Sequence, residues 1–296
     1  MSIVILGKNG QVGSALQHSF VSTDVVALDR SQFDITSKLA VQQLFTQYSP
    51  QIIINATAYT AVDKAENEID LANLVNREGV AMLADACAAN KVLLVHYSTD
   101  YVFDGEKEGF YSELDLVNPQ SVYGSSKWLG EEAVRASGCD YLIFRTSWVY
   151  SLTGNNFPKA IMKKLLQGQE LRIVDDQFGA PTSADLIAAV TFKCVQKLRD
   201  DINLCGLYNL TAKGVVSWFG FAQQMIQVLQ AEGQAQDWMG LIEAVSSNDY
   251  KSIAVRPKNS CLSLSKIEQK FGLEMPLWQK DVEIFMKEFK EQRNAT

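Results

Sequence analysis

Ile3-Val4-Ile5-Leu6-Gly7-Lys8-Asn9-Gly10-Gln11-Val12-Gly13 is the stretch that decides the fold. Four successive apolar residues with no polar alternation suit a strand buried on both faces of a parallel sheet. Glycines follow at once, and from there through Phe20 the chain is compatible with helix. Strand, glycine turn and helix in that order make a phosphate cradle. Small residues let backbone N–H groups approach a pyrophosphate, and the helix N-terminus adds partial positive charge. The spacing is G-x-x-G-x-x-G rather than the usual G-x-G-x-x-G dinucleotide fingerprint. The expected fold class is α/β, a Rossmann-like doubly wound parallel sheet.

Moving outward, Val25-Val26-Ala27-Leu28 reads as the second strand and ends at Asp29-Arg30. An acid there can accept hydrogen bonds from an adenosine ribose, and an adjacent Arg can pair with a 2′-phosphate, so NADPH is favoured with NADH as the other option. Asp34-Ile35-Thr36 has the chemistry of a helix cap, and Asp34 can instead face the adenine. Gln51-Ile52-Ile53-Ile54-Asn55 is a third strand, and Ala56-Thr57-Ala58-Tyr59-Thr60 leaves its C-terminal end, where ligands lie in open α/β sheets. The charged and apolar residues from Asp63 to Ala84 suggest helix. A fourth strand runs from Val92 to Thr99.

Tyr123-Gly-Ser-Ser-Lys127 carries the candidate proton chemistry. Residues four apart share a helix face. A phenol titrates near ~10 when left alone, and a neighbouring ammonium is expected to draw it down, giving an acid able to protonate an oxyanion as a carbonyl is reduced. Of the ten tyrosines only Tyr123 has Lys at this offset. Thr99 lies 24 positions upstream, at a strand end where its hydroxyl can orient a carbonyl or cap a turn. Beyond Leu142-Ile143-Phe144-Arg145, another strand, Trp148 is a candidate to stack on a sugar or base and equally suits a core.

The division expected is a dinucleotide-binding domain over residues 1–150 and a smaller substrate lobe over 151–296, some of whose segments return to the main sheet. In the lobe, Leu171–Val174 and Leu207–Leu210 read as isolated strands among helices such as Ala184 to Leu198 and Trp218 to Leu229. With 47% hydrophobic and 21% charged residues, the composition is that of an ordinary globule. A net charge of -7 leaves no basic footprint for nucleic acid or acidic membrane. Five scattered cysteines without Cys-x-x-Cys spacing suit a reducing cytoplasm, and the two histidines, His18 and His96, read as structural. No signal peptide pattern and no apolar run of about 18 residues appear.

These segments together resemble the extended short-chain dehydrogenase/reductase family and, within it, the dTDP-4-dehydrorhamnose reductases. The resemblance is carried by the glycine turn, Asn55-Ala-Thr-Ala-Tyr-Thr-Ala-Val-Asp-Lys-Ala-Glu66, His96-Tyr-Ser-Thr-Asp-Tyr-Val-Phe103, Phe144-Arg-Thr-Ser-Trp-Val-Tyr150 and Asp176-Gln-Phe-Gly-Ala-Pro-Thr182. It implies NAD(P)H-dependent reduction of the C4 ketone of dTDP-4-dehydro-β-L-rhamnose, the final step in making an activated sugar for surface polysaccharide. Tyr123 would then donate the proton, Lys127 would lower its pKa and hold the nicotinamide ribose, and Thr99 would polarise the ketone. Gly7, Gly10, Gln11, Val12, Gly13, Asp29, Arg30, Asp34, Ile35, Ala58, Tyr59, Thr60, Tyr97 and Lys127 would serve the cofactor. Val62, Asp100, Tyr101 and Trp148, with Thr99 and Tyr123, would meet the substrate. Family dimers are bridged by magnesium on glutamates, but this chain has Ala15 and Asp185 there, so no metal is expected and the chain should be a monomer or weak homodimer. Two other readings share the scaffold: a reductase of another nucleotide sugar, and a non-catalytic dinucleotide-binding subunit like the methionine adenosyltransferase β subunit. The intact Thr99, Tyr123 and Lys127 set favours an enzyme.

Overall fold

The computed structural model describes residues 2–21, 24–231, 233 and 237–294. Six strands form one parallel sheet: β1 (Ile3–Leu6), β2 (Val25–Leu28), β3 (Ile52–Asn55), β4 (Leu93–Thr99), β5 (Tyr141–Thr146) and β6 (Gly206–Asn209). Their order is β6-β5-β4-β3-β1-β2. The chain steps from β1 to β2 on one side and crosses back to β3 on the other. That reversal opens a crevice at the C-terminal ends of β1 and β3, where the glycine turn lies.

The uninterrupted apolar run of β1 is explained by its two covered faces. Ile3 and Ile5 enter one core cluster with helices α1 (Gln11–Ser19) and α6 (Ala184–Leu198), while Val4 and Leu6 enter another with α2 (Lys38–Tyr48) and α3 (Gly79–Asn90). Two of the catalytic candidates, Tyr123 and Lys127, ride on α4 (Val122–Ala136), which packs on the same face as α3. A third cluster joins α5 (Phe157–Leu165), α7 (Trp218–Ala231) and α9 (Trp278–Asn294) around Tyr150, Phe221 and Trp278. Helix α8 (Ser265–Phe271) returns to the main sheet beside β6. Among the described residues no helix is long and apolar enough to cross a membrane.

Three local expectations are corrected. The cap of α2 is Ser37, whose hydroxyl accepts from Ala40 N at 3.2 Å, whereas Asp34 closes the preceding turn by accepting from Thr36. The helix expected through Asp63–Ala84 is interrupted: short helices at Val62–Ala65 and Ile69–Asn73 lead into a π-turn at Leu74–Glu78 before α3. Neither strand of the later half is isolated. Leu171–Val174 pairs in parallel with Ile242–Val245, and Leu207–Asn209 lie in β6, hydrogen-bonded to β5.

Candidate active site

The glycine turn is shaped by close approach. Gly7 has φ 86°, and a Cβ there would sit 2.8 Å from the Ala56 carbonyl oxygen. A methyl at Gly13 would overlap the Gly7 carbonyl, so α1 seats directly on the turn. Gly10 caps α1 without a side chain, leaving the helix's first N–H groups free of side-chain caps. A groove of about 360 Å³ opens alongside, lined by Gly7, Gly10, Asp29, Arg30, Asp34, Ile35, Ala58 and Tyr59 among others. These residues fit a dinucleotide: an anion cradle at one end and a carboxylate at the end of β2. Hydrogen bonds from Ser31, aided by Lys8, hold the Asp29 carboxyl down to about 2, so it is an acceptor at neutral pH.

Other predicted cofactor residues fall outside this groove. Gln11 turns toward the later half of the chain, accepting from Asn156 Nδ2 at 2.8 Å. Val12 packs on the core and brings only its backbone to the helix N-terminus. The Tyr97 ring is buried and its hydroxyl pairs with Thr191 at 2.9 Å, so this residue reaches the site only through its carbonyl. Thr60 is exposed on the strand exit, and Val62, expected on the substrate side, opens the short helix that follows.

Beyond the far end of that groove stands α4. It starts where it does because Pro119 precedes it, the Ser121 hydroxyl accepts from Gly124 N at 3.1 Å, and Glu66 accepts from Val122 N at 2.9 Å. This sets Tyr123 in the first turn and Lys127 in the second. Thr99 ends β4 and caps a short turn by accepting from Tyr101 N at 3.2 Å while donating to Asp100 Oδ1 at 3.0 Å. Burial pushes the Tyr123 phenol up to about 12; a hydrogen bond with Thr99 pulls the other way, and the Asp100 charge raises it further. The expected lowering by Lys127 is absent here. The lysine is turned into the sheet, donating to the Tyr97 carbonyl at 2.6 Å, and burial brings its own pKa down to about 8. Tyr123 therefore holds its proton firmly, the state a proton donor needs. Tyr101 packs its ring edge-on to Tyr123, with centroids 5.6 Å apart.

A second cavity of about 230 Å³ lies in the later half of the chain, lined by Phe157, Trp218, Tyr250, Lys164, Arg172 and Arg256, with other residues. Aromatic faces and cations together suit a base and a phosphate chain. Trp148 does not line it. It sits at φ 50°, stacked on Trp218 at 3.5 Å, in space that Gly179 leaves open. Arg256 pairs with Asp63 at 2.9 Å, and Asp63 also accepts from Ala254 N, so a strap of the later half is tied to the turn after β3.

Sequence reasoning missed Arg256, Trp218 and Asn76. Asn76 sits on the π-turn, where it accepts from Tyr59 N at 2.8 Å and donates to the Tyr59 carbonyl and to Ser126 of α4. No periodicity announces a π-turn, and Arg256 stands in an irregular stretch; only the family block around Asp63 hinted that something must grip there.

A parallel sheet in this order, a glycine cradle at its crossover and a Tyr-x-x-x-Lys helix beside a strand-end threonine define an oxidoreductase of the extended short-chain dehydrogenase/reductase class. Within that class the chain belongs to the family of the RmlD substrate binding domain, whose model matches residues 1–291. It is 39% identical over 282 residues to a dTDP-4-dehydrorhamnose reductase of Aggregatibacter actinomycetemcomitans, covering 94% of this chain and 96% of that protein. Among solved structures, it is similar to a dTDP-4-dehydrorhamnose reductase of Clostridium acetobutylicum, with TM-score 0.88 and 35% identity over 98% of this chain and 100% of that one. A dTDP-4-dehydrorhamnose reductase of Bacillus anthracis in complex with NADP gives 0.87 and 34%, over 97% and 100%.

Proposed function

We propose that this protein reduces the C4 ketone of dTDP-4-dehydro-β-L-rhamnose to dTDP-β-L-rhamnose with NADPH. The observation that carries the reading is the protonated, half-buried Tyr123 beside Thr99, which ends β4 of the sheet whose crevice holds the glycine-lined groove. The nicotinamide cofactor, when bound, supplies the hydride. Thr99 offers its hydroxyl to the ketone oxygen and Tyr123 gives that oxygen its proton as charge develops. Lys127, whose ordinary ammonium form is offset by burial, restores the proton balance around the phenol. Asp29 and Arg30 accept the adenosine end, and the exposed Arg30 favours a 2′-phosphate.

The division of labour follows the same logic. Residues 1–150 hold the cofactor and the proton donor, while residues 151–296 shape the sugar-nucleotide side through Trp218, Arg172 and Arg256, joined by Asp100 and Tyr101 from the first part. Mixing purified protein with NADPH and dTDP-4-dehydrorhamnose tests the reading. Loss of the nicotinamide absorbance in step with formation of dTDP-rhamnose is expected, and an unchanged absorbance contradicts it.

A further inference from the structure

Beneath Lys127 lies a row of polar groups that the reduction chemistry above leaves unused. Asn55 ends β3, His96 is its register partner on β4, and Lys127 reaches down from α4. They are 0%, 0% and 2% exposed, so each nitrogen has to find its partner inside the protein. Asn55 Oδ1 accepts from the backbone N–H of Thr57 at 3.1 Å and from its hydroxyl at 2.6 Å. A backbone N–H can only donate, so the amide orientation is fixed and the Asn55 NH₂ group faces His96 Nδ1, 3.2 Å away. Nδ1 therefore accepts, and the ring proton sits on Nε2. Nε2 faces Lys127 Nζ at 3.4 Å, while Nζ donates to the Tyr97 carbonyl at 2.6 Å. An N–H aimed at Nζ is satisfied by the lone pair of an amine and opposed by an ammonium, which has none.

We propose that His96, locked as the Nε2–H tautomer by Asn55 and Thr57, is a positioning residue that favours the amine form of Lys127 and so makes this lysine an exchanger of protons rather than a fixed charge. The directions of titration agree. Burial first, then Lys127, keeps the imidazole neutral well below its usual range, and burial draws Lys127 down against the opposing pull of Glu131. The other groups facing the row are accounted for. Glu131, one turn along α4, is neutralised by Arg145 of β5 at 2.7 Å and accepts from Ser98 of β4. Asn76 spends its amide on Tyr59 and Ser126, and Gly130 lays bare helix backbone over the ring. Tyr123, one turn before Lys127, remains protonated.

Two measurements test the inference, and only the second rests on the proposed reaction. The first is ¹⁵N NMR of the histidine-labelled full chain, which has only His18 and His96; His18→Gln assigns the signals. The expected spectrum shows His96 protonated on Nε2, bare on Nδ1, and unchanged from about pH 6 to about pH 9. A proton on Nδ1, or titration near the ordinary imidazole value, overturns the proposal. The second uses Asn55→Asp, which places an acceptor opposite Nδ1, reverses the tautomer and presents a lone pair to Lys127. The alkaline limb of NADPH oxidation then moves up by about one pH unit, a tenfold change in proton affinity; an unmoved limb overturns the proposal. Should Asn55→Asp fail to fold, the wild-type spectrum still decides. A wild-type protein that oxidises no NADPH argues against the reaction instead, and the spectrum again judges the tautomer.

Discussion

In the proposed reduction Tyr123 and Thr99 divide the work that a carbonyl asks of side chains, and their settings differ accordingly. Tyr123→Phe removes the proton source without altering the ring's packing against Tyr101, so cofactor binding persists while kcat falls by roughly 10²- to 10⁴-fold. Fluorescence titration with NADPH beside steady-state kinetics checks this. Arg30→Ala weakens NADPH by roughly tenfold and leaves NADH nearly unchanged, because a guanidinium pairs well with the 2′-phosphate that NADH lacks; equal losses for both cofactors remove Arg30 from that role. Asp100 carries a pH signature. Burial raises its carboxyl to about 6, against the opposing pull of the neighbouring Ser260 and Thr99 hydroxyls. A carboxyl with a raised folded pKa stabilises the fold below its unfolded value, and that contribution is lost as pH rises through the folded value. Wild type should lose on the order of 3 kcal/mol from this group between about pH 4 and about pH 7. Asp100→Asn should flatten that part of the urea-denaturation profile, and parallel profiles for the two proteins would contradict it. At this scale the sequence offered candidates for the chemistry but not how they stand. The Tyr123–Lys127 offset was legible, whereas the lysine's turn toward the Tyr97 carbonyl depends on a residue 30 positions away in the chain.

Element by element, legibility followed burial symmetry. The strands β1, β3 and β4 were readable because both their faces are covered, which forces unbroken apolar runs. The helix after β3 was misread as continuous because a π-turn leaves the apolar pattern intact while shifting its phase by one residue. That turn has a use: it delivers Asn76 both to the Tyr59 peptide and to Ser126 of α4. Helix α4 comes close enough for this only because residue 130 is glycine, where a methyl would overlap the Asn76 carbonyl oxygen. Gly130→Ala is therefore expected to cost about 1–3 kcal/mol despite its better helix propensity. Thermal denaturation reads this directly; an unchanged or raised Tm would show that the contact yields freely. Glu66 acts at the same junction by capping Val122 N, which explains why an acid one turn after Asp63 belongs to the family block.

For the whole molecule, the two parts meet where β-strand ends, the turn after β3 and the strap around Arg256 converge. This meeting was the least legible feature, because its partners lie 191 and 193 positions apart in sequence and neither end has a periodic pattern. Segments of the later half were expected to return to the main sheet, and β6 and α6 complete that sheet and its core, so chain order and spatial layer diverge. Arg256→Ala removes both the tie to Asp63 and a cation of the substrate cavity. It should raise KM for the nucleotide sugar by about tenfold or more while leaving NADPH affinity within about twofold, since Arg256 does not line the glycine-rich groove; a loss confined to cofactor binding would contradict this placement. The central claim is that one pocket joins the cofactor's hydride to the C4 ketone through Tyr123. Its most direct measurement is ¹H and ²H NMR of the product formed with NADPH carrying deuterium at the transferable position. The account predicts one deuterium at C4 of the rhamnose from wild type and essentially none from Tyr123→Phe in the same time; deuterium at another carbon, or equal labelling by both proteins, would contradict it.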